Sequence, residues 1–363
     1  MISDLLERKE VCICAGAGGV GKTTVSAAIA LGMAARGKKV AVLTIDPARR
    51  LANSLGLREL GNEETRVDVD VPGELWAMML DAKRTFDELI EWHAPDEQTR
   101  DAVLDNRIYQ ELSNAVAGSQ EYMAMEKLHE LHQEGRYDLL VLDTPPTRHA
   151  LDFLEAPRRL SAFIDSRALQ VFTLPGRFGL RVLGRGTGMV FSILKRATGI
   201  DLLEDMSEFF RSFGDMAEGF RERAERVNAL LADRRTAFML VTTPAPDAVD
   251  DAVFFHHRLL DADLPFAGAV VNRVHQLAVL DGDVAPDEVV GLLGEELGRK
   301  VAANLSDYTR LAQGDRASLE RLRRKLGRKP IVSVPHLDHD VHDLDGLADL
   351  NRHLFDEGQT GAE

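Results

Sequence analysis

The tightest restriction on how this chain folds is set by nine consecutive residues, Gly16-Ala17-Gly18-Gly19-Val20-Gly21-Lys22-Thr23-Thr24. They follow a short apolar run, Val11–Ala15, and precede a helical run, Val25–Arg36, and they fit the spacing G-x-x-x-x-G-K-T. Glycines let the backbone curl until successive N–H groups point inward at phosphate oxygens, and the following helix adds the positive end of its dipole. In such a loop Gly18, Gly19, Val20, Gly21, Lys22, Thr23 and Thr24 surround the phosphates. Lys22 reaches the β and γ phosphates, and the Thr23 hydroxyl ligates Mg²⁺. The expected ligands are ATP and Mg²⁺.

The same glycines, Gly16, Gly18 and Gly21, also spell G-x-G-x-x-G, and Asp46 stands where a dinucleotide-binding fold places its ribose-binding acid. Lys22-Thr23 has no role in that fold, whereas a phosphate loop of the first kind needs both residues and a second acid at another strand end. Leu139-Leu140-Val141-Leu142-Asp143 supplies it. The phosphate-loop reading is therefore preferred over dinucleotide binding and over a glycine turn with no ligand.

Apolar or β-branched runs recur at Val11–Ala15, Val40–Ile45, Leu75–Leu80, Leu139–Leu142, Ala237–Thr242, Ala267–Val271 and Ile331–Val334. They are nearly continuous rather than alternating, as in strands buried on both faces of a parallel sheet, and helical patterns lie between most of them. The fold class predicted is α/β: a P-loop NTPase with a doubly wound, mostly parallel sheet flanked by helices. Between Leu142 and Ala237 no strand pattern occurs, and so long a structureless loop is foreign to a compact domain. We read residues 1–363 as a single P-loop domain with a helical subdomain inserted at about 155–230, joined by about 95–133. Met206, Phe209, Phe210, Phe213, Met216 and Phe220 repeat at helical spacing there, Asn106–Gln133 is helical, and so is Leu277–Arg328 with Leu311, Leu319, Leu322 and Leu326 on one stripe.

Hydrophobic residues make up 45% and charged residues 28% of the 363, enough for a large core. The formal charge of -15 argues against nucleic acid as a partner, since phosphate backbones need a basic face. The two cysteines, Cys12 and Cys14, share one face of a strand and exclude a disulfide framework and a usual structural zinc site. Met1–Glu10 lacks the apolar stretch of a secretory signal, which places the chain in the cytoplasm.

Three ordered motifs carry a resemblance: the phosphate loop, Thr44-Ile45-Asp46-Pro47-Ala48, and Leu142-Asp143-Thr144-Pro145-Pro146-Thr147-Arg148-His149. Together they are similar to the anion-transporting ATPase family, which includes arsenite-pump ATPases and targeting ATPases for tail-anchored membrane proteins. The resemblance implies that Asp46, in a first switch, orients the attacking water and lies at the metal site. Asp143 then holds Mg²⁺ through a water and anchors a second switch, while Asn272, Pro335 and His336 fall where family members contact adenine. Helix capping by Asp46 and an ordinary turn role for Asn272 remain the plain alternatives.

Two departures from the family pattern stand out. Members usually carry a lysine just after the first glycine of the loop, reaching across a dimer to the partner's phosphates; here that residue is Ala17. The resemblance then implies slow hydrolysis alone, a heterodimer with a lysine-bearing paralogue, or a substitute cation, for which Arg148 is the candidate. Arsenite sites need clustered soft thiolates, and the two cysteines here cannot form one or a zinc-bridged dimer.

More than half of the phenylalanines lie between Phe153 and Phe220, and Arg158–Arg196 holds eight basic residues against Asp165 alone. A basic, apolar, glycine-containing lid over a hydrophobic protein client, or a surface for a membrane-associated partner, is one reading; a solvated face over a helical core is the other. Peripheral association with a membrane stays open. The run His336–His342 specifies no complete metal ligand set, and His129 and His132 are expected on the surface of their helix.

Overall fold

The computed structural model describes residues 1–46, 49–107, 109–110, 119–145, 202–276 and 286–355. Eight strands form one sheet: β1 Val11–Ala15, β2 Lys39–Thr44, β3 Thr65–Arg66, β4 Glu74–Met79, β5 Leu139–Asp143, β6 Thr236–Thr242, β7 Phe266–Val274 and β8 Ile331–Pro335. Their order is β3-β4-β2-β5-β1-β6-β7-β8, and every neighbouring pair is parallel except β3 with β4. All seven runs read as strands are strands; β3, two residues at the sheet edge, is additional. The central strands β1, β5 and β6 are buried at every residue, which is why their sequences show no alternation.

Contacts divide the chain into two compact units. One holds the sheet and spans Met1–Met79, Gly135–Ala150 and Ala232–Glu363. Its helices are α1 Ile2–Leu6, α2 Lys22–Ala34, α3 Arg50–Ser54, and, further along the chain, α8 Pro246–Asp261, α9 Pro286–Leu293, α10 Glu295–Leu326 and α11 Leu344–Phe355. Helix α2 is almost wholly buried, between the sheet and α11. The close approach of α11 requires Gly32, because a Cβ there would stand 2.2 Å from the Phe355 ring. Cys12 and Cys14 are buried and unbridged.

The second unit covers Leu80–Glu134 and the described part of Leu151–Leu231. It contains α4 Ala82–His93, α5 Glu97–Leu104, α6 Ser119–Glu134 and α7, which runs over Leu202–Ala232. Phe209, Met216 and Phe220 are buried, so the helical spacing read there marks a core face. Phe220 stacks against Phe86 at 6.1 Å and lies tilted to the His93 ring at 5.3 Å. Glu126, 1% exposed, accepts from Arg223 Nε and from the Tyr122 hydroxyl at 3.0 Å. His129, expected on the surface, is buried: the helix faces neighbours on more than one side.

Leu319, Leu322 and Leu326 pack as the stripe on α10 requires, but Leu311 is exposed. Ahead of Ala312 only Gly298 is buried in this helix, so the packing surface ends before the stripe does. The basic run Arg158–Arg196, most of the run read as a second switch and Pro47-Ala48 lie outside the described residues.

Candidate phosphate site at the ends of the central strands

Chain order and sheet order diverge around β1. The chain leaves β1 for β2 and β4 and returns as β5 between β1 and β2, then continues on the far side with β6. Crevices at such divergence points, outside the carboxyl ends of the strands, are where open α/β sheets bind ligands. The register sets Asp143 of β5 beside Cys14 of β1 and Thr44 of β2, so the end of β5 lies under the start of the glycine loop.

The loop's geometry depends on two glycines. Gly21 caps α2 with φ 91°, a left-handed conformation that side chains resist, and a Cβ there would stand 2.4 Å from Asn272 Nδ2. At Gly16 a Cβ would lie 2.0 Å from the Val241 carbonyl oxygen. Lys22, only 6% exposed, folds back so that Nζ donates to the Ala17 carbonyl at 2.8 Å. Burial pushes its pKa below the ordinary lysine value, opposed by the nearby Asp143 carboxylate.

The ends of β2 and β5 and the first turn of α2 meet at Asp143. Its Oδ2 accepts from the Thr23 hydroxyl at 2.7 Å and from the Thr44 hydroxyl at 3.0 Å. The Thr44 hydroxyl in turn accepts from the Asp46 backbone N–H at 3.2 Å. Oδ1 of the same carboxyl is buried and has no donor among the described residues. Burial raises the Asp143 pKa to about 6, against the downward pull of the two hydroxyls and Lys22. A buried acid with one satisfied and one open oxygen, next to a threonine hydroxyl and beneath a glycine cradle, is a donor set of hard oxygens that fits Mg²⁺.

Asp46 lies beyond the end of β2, and its Oδ2 is 3.8 Å from Arg50 Nη1. Thr24 follows Thr23 into the first turn of α2. Asn272, near the end of β7, is buried; Nδ2 donates to the Val20 carbonyl at 3.1 Å, and Oδ1 accepts from the Arg273 N–H at 3.0 Å. Arg273 adopts φ 60° and extends Nη1 to within 3.4 Å of the Gly19 carbonyl oxygen. The structure thus brings Asn272 against the loop itself. Pro335 ends β8 opposite Val274, and the His336 N–H donates to the Val274 carbonyl at 2.9 Å. The His336 ring stacks on His275 at 5.3 Å, and His275 Nδ1 pairs with Asp315 at 2.8 Å. Arg148 lies outside the described residues. Arg50 and His275 were not singled out from the sequence, and Thr44, quoted there within a motif, was given no role of its own; its contact with Asp143 comes from strand register.

This arrangement defines a doubly wound P-loop NTPase core. The family model for anion-transporting ATPases matches residues 9–282, and the chain belongs to that family, a family of ATPases. It is 29% identical over 245 residues to the ATPase GET3 of Malassezia globosa, covering 66% of each chain, and 28% identical to the ATPase get3 of Aspergillus terreus, covering 60% of this chain and 59% of the relative. It is 24% identical over 351 residues to putative arsenical pump-driving ATPase 1 of Aquifex aeolicus, covering 95% of this chain and 78% of that one. The match spans about two thirds or less of the two fungal relatives' own length.

Proposed function

We propose that the protein binds Mg-ATP at Gly18–Thr24 and hydrolyses it, using the nucleotide state to control binding of a hydrophobic or membrane-linked protein client through its helical unit. The observation that carries the reading is the convergence of Thr23, Thr44 and Asp143 beneath the glycine loop, with Asp143 Oδ1 buried and open. Thr23 and Asp143 would hold Mg²⁺, with Asp46 close by; the ion supplies charge neutralisation at the transferring phosphoryl group. Lys22 would exchange its bond to the Ala17 carbonyl for phosphate oxygens. Its buried ammonium then stabilises charge where solvent screens little. Asp46 would orient the attacking water, and Asn272, Pro335 and His336 would border the adenine.

The Thr44 hydroxyl supports the switch reading, because it ties the backbone leaving β2 to the acid ending β5. Movement at either strand end is felt at the other. We read the working form as a dimer, and Ala17 in place of lysine favours a heterodimer with a lysine-bearing paralogue. A weakly hydrolysing ATP-binding scaffold is the second reading, and Ala17 is the observation behind it. Among the described residues no helix is long and apolar enough to cross a membrane. The family pattern is consistent with a cytoplasmic protein touching membranes through its client.

The test is steady-state ATP hydrolysis by the purified protein, alone and mixed with its lysine-bearing paralogue, with Lys22→Ala as the blank. Turnover that rises strongly on mixing supports a composite site. ATP binding without turnover in either sample supports the scaffold reading instead.

A further inference from the structure

Helix α10 is packed along only part of its length. Its C-terminal half buries Ala312, Leu319, Leu322 and Leu326. The N-terminal half holds large apolar side chains in solvent: Leu297 is 55% and Leu311 52% exposed, and Val301 and Tyr308 are each 37% exposed. These four follow one another at spacings of four, seven and three residues, the a and d positions of a heptad, and Asn304 completes the series. The seam is about 21 Å long at the helical rise of ~1.5 Å per residue. Gly298 and Ala312, both buried, take the e positions beside it, while Lys300 and Asp307, both exposed, take the g positions on the open flank. The Tyr308 ring meets His275 edge-on at 5.5 Å, so that seam position is braced by the residue following β7.

We propose that this half of α10 is an interface for a second copy of the same chain, paired antiparallel through the a and d residues. The inference goes beyond the nucleotide reading and holds whether or not ATP is hydrolysed. Charge selects the occupant. From 295 to 310 the helix carries three acids, Glu295, Glu296 and Asp307, and three bases, Arg299, Lys300 and Arg310. An anionic lipid surface selects a predominantly basic polar face, and this face is balanced. In an antiparallel pair g positions meet g positions, so Lys300 of one copy stands beside Asp307 of the second, and two-fold symmetry repeats the contact. In a parallel pair the same two residues would face Leu305 and Ala312, which carry no charge. Antiparallel pairing also sends the two packed halves to opposite ends of the seam. Both g side chains sit in exposed pairs within the chain, Lys300 with Glu296 at 2.9 Å and Asp307 with Arg310 at 3.3 Å, and such pairs exchange partners at little cost. Asn304, midway along, is the kind of polar seam residue that fixes register at the expense of stability.

The experiment is sedimentation velocity of the full chain, without nucleotide, over a wide concentration range. Wild type should pass from monomer to dimer. Leu297→Glu, at an exposed position, should weaken that association by at least about tenfold while the thermal unfolding midpoint and ATP affinity stay at their wild-type values. Lys300→Glu and Asp307→Lys should each self-associate several-fold more weakly, because like charges then meet. A mixture of the two should recover dimers, because opposite charges then meet at both contacts. That recovery distinguishes antiparallel pairing of two copies from any other occupant. A wild type that stays monomeric, a dimer indifferent to Leu297→Glu, or charge variants that do not complement each other overturns the proposal. Binding of wild type, and not of Leu297→Glu, to vesicles of phosphatidylcholine and phosphatidylserine assigns the face to lipid and overturns it as well. ATP turnover of the same samples tests the hydrolytic reading separately.

Discussion

Thr44 Oγ1 donates to Asp143 Oδ2 at 3.0 Å, joining the end of β2 to the end of β5 inside the core. Thr44 is 2% exposed and Asp143 1%, so no water replaces this bond if it is lost. The same hydroxyl accepts from the Asp46 N–H, so one side chain bonds both the backbone leaving β2 and the carboxyl ending β5.

Thr44→Val removes that link at nearly constant volume. Leaving a buried carboxyl oxygen with one donor fewer costs about 1–3 kcal/mol. Thermal unfolding of the nucleotide-free protein should show that loss, and kcat should fall several-fold as Asp46 loses its anchor. Thr44→Ser, which keeps the hydroxyl, should restore both. A Thr44→Val protein with wild-type turnover removes the coupling role.

The raised pKa of Asp143 predicts opposite pH trends for stability and for metal binding. Its folded value of about 6 exceeds an ordinary aspartate's, so the folded state holds the proton more tightly than the unfolded one. Stability of the nucleotide-free protein from this group is present below the unfolded pKa, about 4, and declines as pH rises to about 6, by on the order of 3 kcal/mol. Mg²⁺ needs the ionised carboxylate, so Mg-dependent nucleotide affinity should strengthen through the same window. Titration calorimetry at several pH values should record proton release on binding. Asp143→Asn should abolish both trends.

Gly21 is the loop position where both backbone conformation and space resist a side chain. Gly21→Ala would combine a left-handed φ of 91° with a Cβ 2.4 Å from the Asn272 amide that braces the Val20 carbonyl. The expected result is loss of ATP binding by at least about tenfold with destabilisation of roughly 1–3 kcal/mol. Gly19→Ala is the informative partner: its φ is also positive, but nothing lies within 4 Å of its Cβ. It should show the strain without the collision.

The long strands were legible because burial on both faces turns their sequences into continuous apolar runs, and the loop because its glycines have a steric reason to be there. β3 was not, since two residues such as Thr65–Arg66 carry no periodicity. Thr44 stands in the sequence at the head of the Asp46 motif with no role of its own; its contact with Asp143 comes from the parallel register of β2 and β5. Arg50 and Arg273 look like ordinary surface charges until a left-handed residue redirects the chain at or before them. His129 misled because the helical pattern shows which residues share a face but not how many faces are covered.

Asp46 separates the hydrolytic reading from the scaffold reading. Its carboxylate lies within 3.8 Å of a cation, while its backbone N–H is bound to Thr44, so Asp46→Asn preserves shape and removes only the charge. Under the hydrolytic reading kcat falls by about a hundred-fold or more, the scale of a lost general base, and ATP affinity holds. Under the scaffold reading the variant performs as wild type in client binding and shows no rate to lose.

The helical unit offers a test independent of nucleotide. Glu126 is buried and accepts from Arg223, whose guanidinium also lies 5.1 Å over the Trp92 ring. Removing one partner leaves the other buried and uncompensated, a loss of about 3–5 kcal/mol. Arg223→Met and Glu126→Gln should therefore each lower the unfolding midpoint in denaturant. The double variant should be less damaged than the sum of the two, because the charge each single variant strands is gone. Trp92 fluorescence reports the Arg223 contact directly, so its emission should shift in Arg223→Met and not in Glu126→Gln. Strict additivity would mean that the two charges do not hold each other in the folded protein.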